Sequence, residues 1–298
     1  MGKRGGLMGG FNVGDIVVRR SYGGDVYFKI VQINKKNDGQ RMYVLKGTNL
    51  RLMADAPGDD LEEPTLDRIS TNNEEYNKKV SRLMKRALLQ RKPSQTGGKS
   101  VGPIRSTEAP AFGRAGKVLH LDGDAEYLGI CLRGYKQLGI EATGKIICEL
   151  QQPQAIIDML KEYRPDILVM TGHDGMIKGS RNFKSVDSYR SSRYFIEAVR
   201  RAREYQPSYD ELVIFAGACQ SLYEGIMDAG ANFASSPHRV LIHALDPVFI
   251  CERIAYSNTS KVLTPQEVLE NTITGLKGLG GLQTRGKYRE GTPKSPYA

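Results

Sequence analysis

Short, largely apolar runs separated by turn residues fill residues 11–56. DIVVR (15–19), VYFKIVQI (26–33), RMYVLKG (41–47) and LRLMA (50–54) are rich in β-branched and aromatic side chains, which suit a pleated, half-buried surface. YGGD at 22–25 and NDGQ at 37–40 separate the runs, and Asp38-Gly39 is a favourable hairpin turn pair. Four or five short strands in this span predict a small SH3-like β-barrel, a shape that binds or positions more often than it catalyses.

The pattern changes after residue 57. Asp59, Asp60, Glu62 and Glu63 form an acidic patch. Residues 73–91 then place Val80, Leu83, Met84, Ala87 and Leu88 on one side of a predicted helix. KPSQTGGKSVGPIRSTEAPAFGRAG follows, a composition of Pro, Gly, Ser and Lys that reads as a linker. The expected organisation is a β module over 1–57, a linker with a short helix over 58–113, and an α/β domain over 114–298.

From residue 117 the period alternates between two and 3.6. Strands are expected at 117–122, 142–148, 166–172, 211–218 and 239–247. Helices are expected at 124–138, 154–163, 189–205, 220–229 and 265–274, with no element in the Gly-rich tail. The runs DILVMTG and ELVIFAGA are continuously apolar, as strands covered on both faces are. Strand-helix alternation predicts a three-layer domain with a mainly parallel sheet.

Composition narrows the class. The 298 residues are 40% hydrophobic and 26% charged, which argues against wholesale disorder. No run approaches 18 uncharged apolar residues, so no membrane span is expected. MGKRGGLMGGFNVGD lacks a signal-peptide core, so secretion is not expected. Cysteines at 131, 148, 219 and 251 have no CxxC spacing, which gives no support to a zinc knuckle and suggests reduced thiols in a cytoplasm-like compartment. The net charge of +10 is concentrated in residues 1–113, with 20 Lys and Arg against 12 Asp and Glu. No nucleic-acid motif accompanies it, so solubility or an acidic partner is preferred to specific nucleic-acid binding.

Open parallel sheets gather function at the carboxyl ends of their strands. Three such ends carry chemistry: His120-Leu121-Asp122-Gly123-Asp124, Thr171-Gly172-His173-Asp174-Gly175, and Ala216-Gly217-Ala218-Cys219-Gln220-Ser221. A thiol needs a base to become a nucleophile near neutral pH, and an imidazole supplies one. Cys219 is the candidate nucleophile and His173 the candidate base. A helix following Cys219 would favour thiolate. Gly172 and Gly175 leave room for backbone amides to hold an oxyanion.

Asp174 has three readings: it orients the imidazole, binds the substrate, or caps the next segment. Asp124 is a helix N-cap. Asp122, Asp124, Asp174 and the strand-end Asp246 are candidates for an acidic specificity pocket, which would select Arg or Lys. Cys131, Cys148 and Cys251 lie on apolar patterns and read as packing residues. His120 and His243 are too far from suitable partners in sequence to suggest a metal site, and no cofactor is expected.

An apolar strand ending in His173 and a later one ending in Ala218-Cys219 resemble the caspase-type (clan CD) cysteine peptidases, which include legumain, clostripain and gingipain relatives. In caspases the histidine lies about 50 residues before the cysteine. Asp174 intervenes between His173 and Gly175, and Gln220-Ser221 stands where caspases have Arg-Gly. Such enzymes generally work with a dyad, so no third member is expected.

Nearly the whole chain is similar to the YabG family of sporulation-specific cysteine proteases from spore-forming Firmicutes, in VGDIVVRRSY, GKVLHLDGD, YRPDILVMTGHD, LVIFAGACQS, AGANFASSP, IHALDP and KGLGG with the following TRG. The resemblance implies catalysis by Cys219 and His173. It also implies processing of spore coat and other sporulation proteins in the mother-cell cytoplasm or at the coat, and self-cleavage. Arg91, Lys92, Lys99 and Arg105 are the expected cleavage positions. The rival expectation is a non-catalytic coat scaffold or polyanion-binding module.

Overall fold

The first unit begins with four strands, β1 (Ile16–Arg19), β2 (Tyr27–Lys35), β3 (Arg41–Gly47) and β4 (Met53–Pro57), each burying part of its length. With β5 (Leu61–Glu62) they form an antiparallel sheet in the order β4-β3-β2-β1-β5. Its core is Val17, Phe28, Ile30, Tyr43, Leu45, Ala56 and Leu61. The register between β2 and β3 shifts at Ile30/Gln32, where one extra residue increases the local twist. This computed structural model describes residues 10–36, 39–91 and 112–292. The expected Asp38-Gly39 turn pair therefore lies partly outside the described residues, as does the linker over 92–111.

The chain divides into two compact units, Met1–Tyr76 and Asn77–Ala298. Helix α1 (Leu66–Leu89) runs across the division and starts seven residues before the expected 73. The Arg68 N–H donates to Thr65 Oγ1 at 3.3 Å, so a cap after Pro64 starts the helix where no apolar stripe does. In the second unit, Met84 and Ala87 enter the core. Beyond α1, Arg91 pairs with Glu252 at 2.9 Å, both side chains nearly inaccessible. The Arg91 guanidinium also stacks on Tyr256 and donates to the Leu138 carbonyl.

The second unit continues with β6 (Phe112–Arg114), β7 (Val118–Asp122), α2 (Ala125–Gln137), β8 (Ala142–Ile146), α3 (Gln152–Tyr163), β9 (Ile167–Thr171) and α4 (Ser192–Tyr205). Next come β10 (Val213–Ala216), α5 (Tyr223–Asp228), β11 (Phe233–Ser235), α6 (Asp246–Ala255), β12 (Val262–Leu263), α7 (Pro265–Leu269), β13 (Leu279–Gly281), β14 (Thr284–Arg285) and β15 (Arg289–Gly291). The main sheet has the order β13-β11-β10-β9-β7-β8. All its pairs are parallel except β11 with β13. Two small antiparallel pairs, β12 with β14 and β6 with β15, stand beside it.

Period two sorts the buried strand residues onto two faces. Val118, Ile167, Val169, Val213 and Phe215 pack with α1, α2, α6 and α7. Leu119, Leu121, Leu168, Met170 and Ile214 pack with α3, α4 and α5. The unit is a mixed α/β fold with helices over both faces of a largely parallel sheet.

Two expectations are corrected. The fifth parallel strand is β11, not residues 239–247. RVLIHALDP is a continuous apolar run, and such runs do not separate a strand from other buried backbone. Its first half is an irregular segment that is half-buried to Leu241 and buried from Ile242 on, and Pro247 helps to start α6. Asp246 is therefore the first residue of a helix, not a strand end. The Gly-rich tail also holds β13, β14 and β15. Gly281 lies against Phe233, where a Cβ would collide with the ring. Glycine is needed there for close approach, and it hides the strand from pattern reading.

Candidate active site

The five parallel strands run spatially β8-β7-β9-β10-β11, a second-first-third-fourth-fifth order. The connections leave in opposite directions from β7 and β9, which opens a crevice at their carboxyl ends. Asp122 ends β7, and Asp124 caps α2. His173 follows β9 by two residues, and Cys219 follows β10 by three.

Asp124 accepts the N–H groups of Glu126 and Tyr127 through Oδ1, at 2.9 and 3.1 Å. The expected N-cap is present. Its Oδ2 lies 2.8 Å from His173 Nε2, and the Tyr127 ring packs edge-on against the imidazole. With Nε2 facing a carboxylate, the favoured tautomer carries its proton there. Nδ1 then keeps its lone pair. It is buried and has no hydrogen-bond partner among the described residues.

Glu149 also reaches this crevice. Its Oε1 accepts the His173 backbone N–H at 2.5 Å. A Cβ on Gly123 or Gly172 would collide with that carboxylate, so glycine at both strand ends makes room for Glu149. The Gly175 N–H donates to Asp174 Oδ1 at 2.8 Å.

Beneath these groups lies a buried polar chain. Asp122 Oδ1 accepts the Asp124 N–H, and Oδ2 accepts the Thr171 hydroxyl at 2.9 Å. Thr171 Oγ1 is 2.7 Å from His120 Nε2. These contacts connect the ends of β7 and β9, the strands that carry Asp124 and His173.

Cys219 sits in the core layer under α2 and α6, and His173 rests on the first turn of α2. The sulfur is fully buried. The Ile242 N–H points at Sγ from 3.2 Å, and the Ile242 carbonyl is 3.8 Å away. Helix α5 begins only at Tyr223, so the donor directed at the sulfur comes from Ile242 rather than from the following helix. Gly217, at φ +110°, and Gln220, at φ +57°, turn the chain sharply around Cys219. A Cβ on Gly217 would meet Ser235 Oγ, and glycine also meets the backbone demand.

The other acids are engaged internally. Asp174 accepts from Gly175 N, Ser191 N, Ser192 Oγ and Ser221 Oγ. Burial pushes its carboxyl above the usual range despite these donors. Asp246 is completely buried, and burial raises its pKa as well. Its partners are the His243, Ile273 and Thr274 N–H groups and the Thr274 hydroxyl.

Cys131 and Cys251 are buried as expected, but Cys148 is exposed. It lies beyond the end of β8, where the edge strand leaves the sheet. Burial pushes the Cys251 thiol up to about 12. Glu149, Ser192 and the Ile242 backbone were not legible in the sequence, because none belongs to a recognisable short motif, and Ser221 was marked only as part of the Cys219 turn. The imidazole contact of Asp124 was partly legible: it follows the first strand, next to the crevice that this strand order opens.

Ionisable groups thus collect at the carboxyl ends of the parallel strands, where open α/β sheets bind their ligands. The YabG peptidase U57 family matches residues 12–293, and the chain belongs to that peptidase family. It is 42% identical over 288 residues to the sporulation-specific protease YabG of Bacillus subtilis (strain 168), covering 95% of this chain and 98% of the relative. No described helix is long and apolar enough to cross a membrane.

Proposed function

We propose that the chain is a cysteine endopeptidase acting on spore coat and other sporulation proteins in the mother cell, after Arg or Lys. The observation that carries this reading is the buried, unpartnered Nδ1 of His173, with Nε2 held by Asp124. Cys219 follows the adjacent parallel strand. Nδ1 takes the Cys219 thiol proton as sulfur attacks the peptide carbonyl, then gives that proton to the leaving amine. Water attacks the resulting thioester, releasing the acid and restoring the thiol. Backbone N–H groups around Gly172 and Cys219 hold the oxyanion. The His173 and Gly175 N–H groups are already directed to Glu149 and Asp174.

This reading requires the 240–242 segment to leave the sulfur when substrate enters, because the Ile242 N–H and carbonyl now lie against it. Asp122 and Asp124, at the end of β7 and the start of α2, supply a negative field that favours a basic side chain before the scissile bond, whereas Asp174 and Asp246 are taken up by internal donors. The strand order and the His173–Cys219 placement support a caspase-like reading of the α/β unit. The antiparallel sheet over residues 16–62 is read as an SH3-like barrel that positions substrates.

The burial of Cys219 favours the rival reading, in which this unit only packs and the β module docks onto coat material. Alkylation decides between them. Exposed Cys148 would react first, so the test uses a Cys148→Ser background. Iodoacetamide should then label Cys219, with cleavage of an arginine peptide lost in step. No labelling of Cys219 together with no cleavage of the peptide establishes the scaffold instead, and labelling with full activity removes Cys219 as the nucleophile.

Wild type incubated alone should also give new N-termini after Lys92, Lys99 or Arg105, which Cys219→Ala should not. These three positions lie outside the described residues. Arg91 is a poor site, because its side chain is held in the buried pair with Glu252.

A further inference from the structure

We propose that Asp174 is a positioning residue that fastens the loop carrying His173 to the loop carrying Cys219, so that the two groups keep their mutual geometry. The inference rests on the dyad reading above and goes beyond it.

Asp174 is joined to His173 by a peptide bond. Its Oδ2 accepts the Ser221 hydroxyl at 2.9 Å, and Ser221 Oγ accepts the Ala218 N–H at 2.9 Å. Ala218 immediately precedes Cys219. The same Oδ2 accepts the Ser192 hydroxyl at 2.5 Å, and Ser192 Oγ accepts the Leu222 N–H at 2.8 Å. Two serines thus grip the Cys219 turn on both sides, at Ala218 and at Leu222, and one carboxylate holds both serines. Ser192 and Ser221 are fully buried, so water does not substitute for either contact.

Counting donors explains why the group is a carboxylate. Each serine hydroxyl already accepts a backbone N–H, so each points its single proton at Oδ2. Oδ1 faces two further donors, the Gly175 N–H at 2.8 Å and the Ser191 N–H at 2.8 Å. All four neighbours donate, and only an acceptor-only group satisfies them. Asparagine has nearly the same shape, but it sets an NH₂ against two donors whichever way it is turned. Of the three readings that the sequence left open for Asp174, the contact with Ser191 and Ser192 makes it the anchor of the start of α4. The imidazole is oriented by Asp124 instead.

A displacement of about 1 Å in a catalytic group can cost about 10²-fold in rate. The test measures kcat and KM on an arginine peptide for wild type, Asp174→Asn, Ser221→Ala and the double variant, with near-ultraviolet circular dichroism as the check on folding. Asp174→Asn should lower kcat by about 10²-fold and Ser221→Ala by about tenfold, with KM within about twofold of wild type. The double variant should be no slower than Asp174→Asn, because both changes break one connection.

A folded Asp174→Asn enzyme with kcat within twofold of wild type overturns the proposal. So do losses that multiply in the double variant. If Asp174→Asn does not fold, Ser221→Ala decides alone: kcat within twofold of wild type overturns the proposal, and a tenfold loss at unchanged KM sustains it. Full turnover in Cys219→Ala would instead refute the dyad reading, so the two failures are distinguishable.

Discussion

Cys219→Ala should lower turnover of an arginine peptide by about 10⁶-fold, the order expected when the nucleophile is removed from an acyl-transfer site. The fold should survive. The substitution deletes one sulfur from a closed core position, at a cost of about 1 kcal/mol for lost contacts and residual cavity. Circular dichroism and a denaturant midpoint check that cost, while product formation over hours checks the rate. His173→Ala should lose about as much. The double variant should be no worse than either single one, because nucleophile and base act as a unit and their effects do not add. Retained turnover in folded Cys219→Ala would end the cysteine-peptidase reading.

Asp124→Asn should cost about 10⁴-fold in kcat with little change in stability. Asp124 does two things, and asparagine separates them. The N–H groups of Glu126 and Tyr127 need only an acceptor, and asparagine caps a helix as well as aspartate does. Once its Oδ1 faces those donors, its NH₂ faces His173 Nε2. That nitrogen must then accept, the ring proton moves to Nδ1, and the base is lost. A comparable Asp-to-Asn change beside a catalytic histidine costs about 10⁴-fold through the wrong tautomer. Asp124→Ala should lose the cap as well, lowering stability by about 1 kcal/mol. Unchanged kcat in Asp124→Asn would remove Asp124 from the reaction, and a large fall in its unfolding midpoint would make it a structural residue only.

How well each element could be read from sequence depended on the strength of its period. RMYVLKG reads as a strand and is one, Arg41–Gly47, because β-branched and aromatic residues lie between clear turn signals. DILVMTG and ELVIFAGA are buried on both faces, and their unbroken apolar runs mark them. RVLIHALDP misled because a buried irregular segment needs the same apolar composition as a buried strand. FAS, at 233–235, was too short to register. The early start of α1 rested on Thr65, a cap without a stripe behind it.

The sequence by itself determined the family, the α/β character of the larger unit and the chemical groups available, Cys219 and His173 above all. Side-chain period and local turn chemistry carry that information over a few residues. Only the tertiary structure decided which partners those groups have: Asp124 on the imidazole, Ile242 against the sulfur, Glu149 between two strand-end glycines, and Asp174 joined to both loops. The physical reason is that hydrogen bonds have no memory of sequence distance. Asp174 and Ser221 are 47 residues apart along the chain and 2.9 Å apart in space, and the parallel crossovers that bring them together are satisfied by the whole sheet rather than by any local pattern.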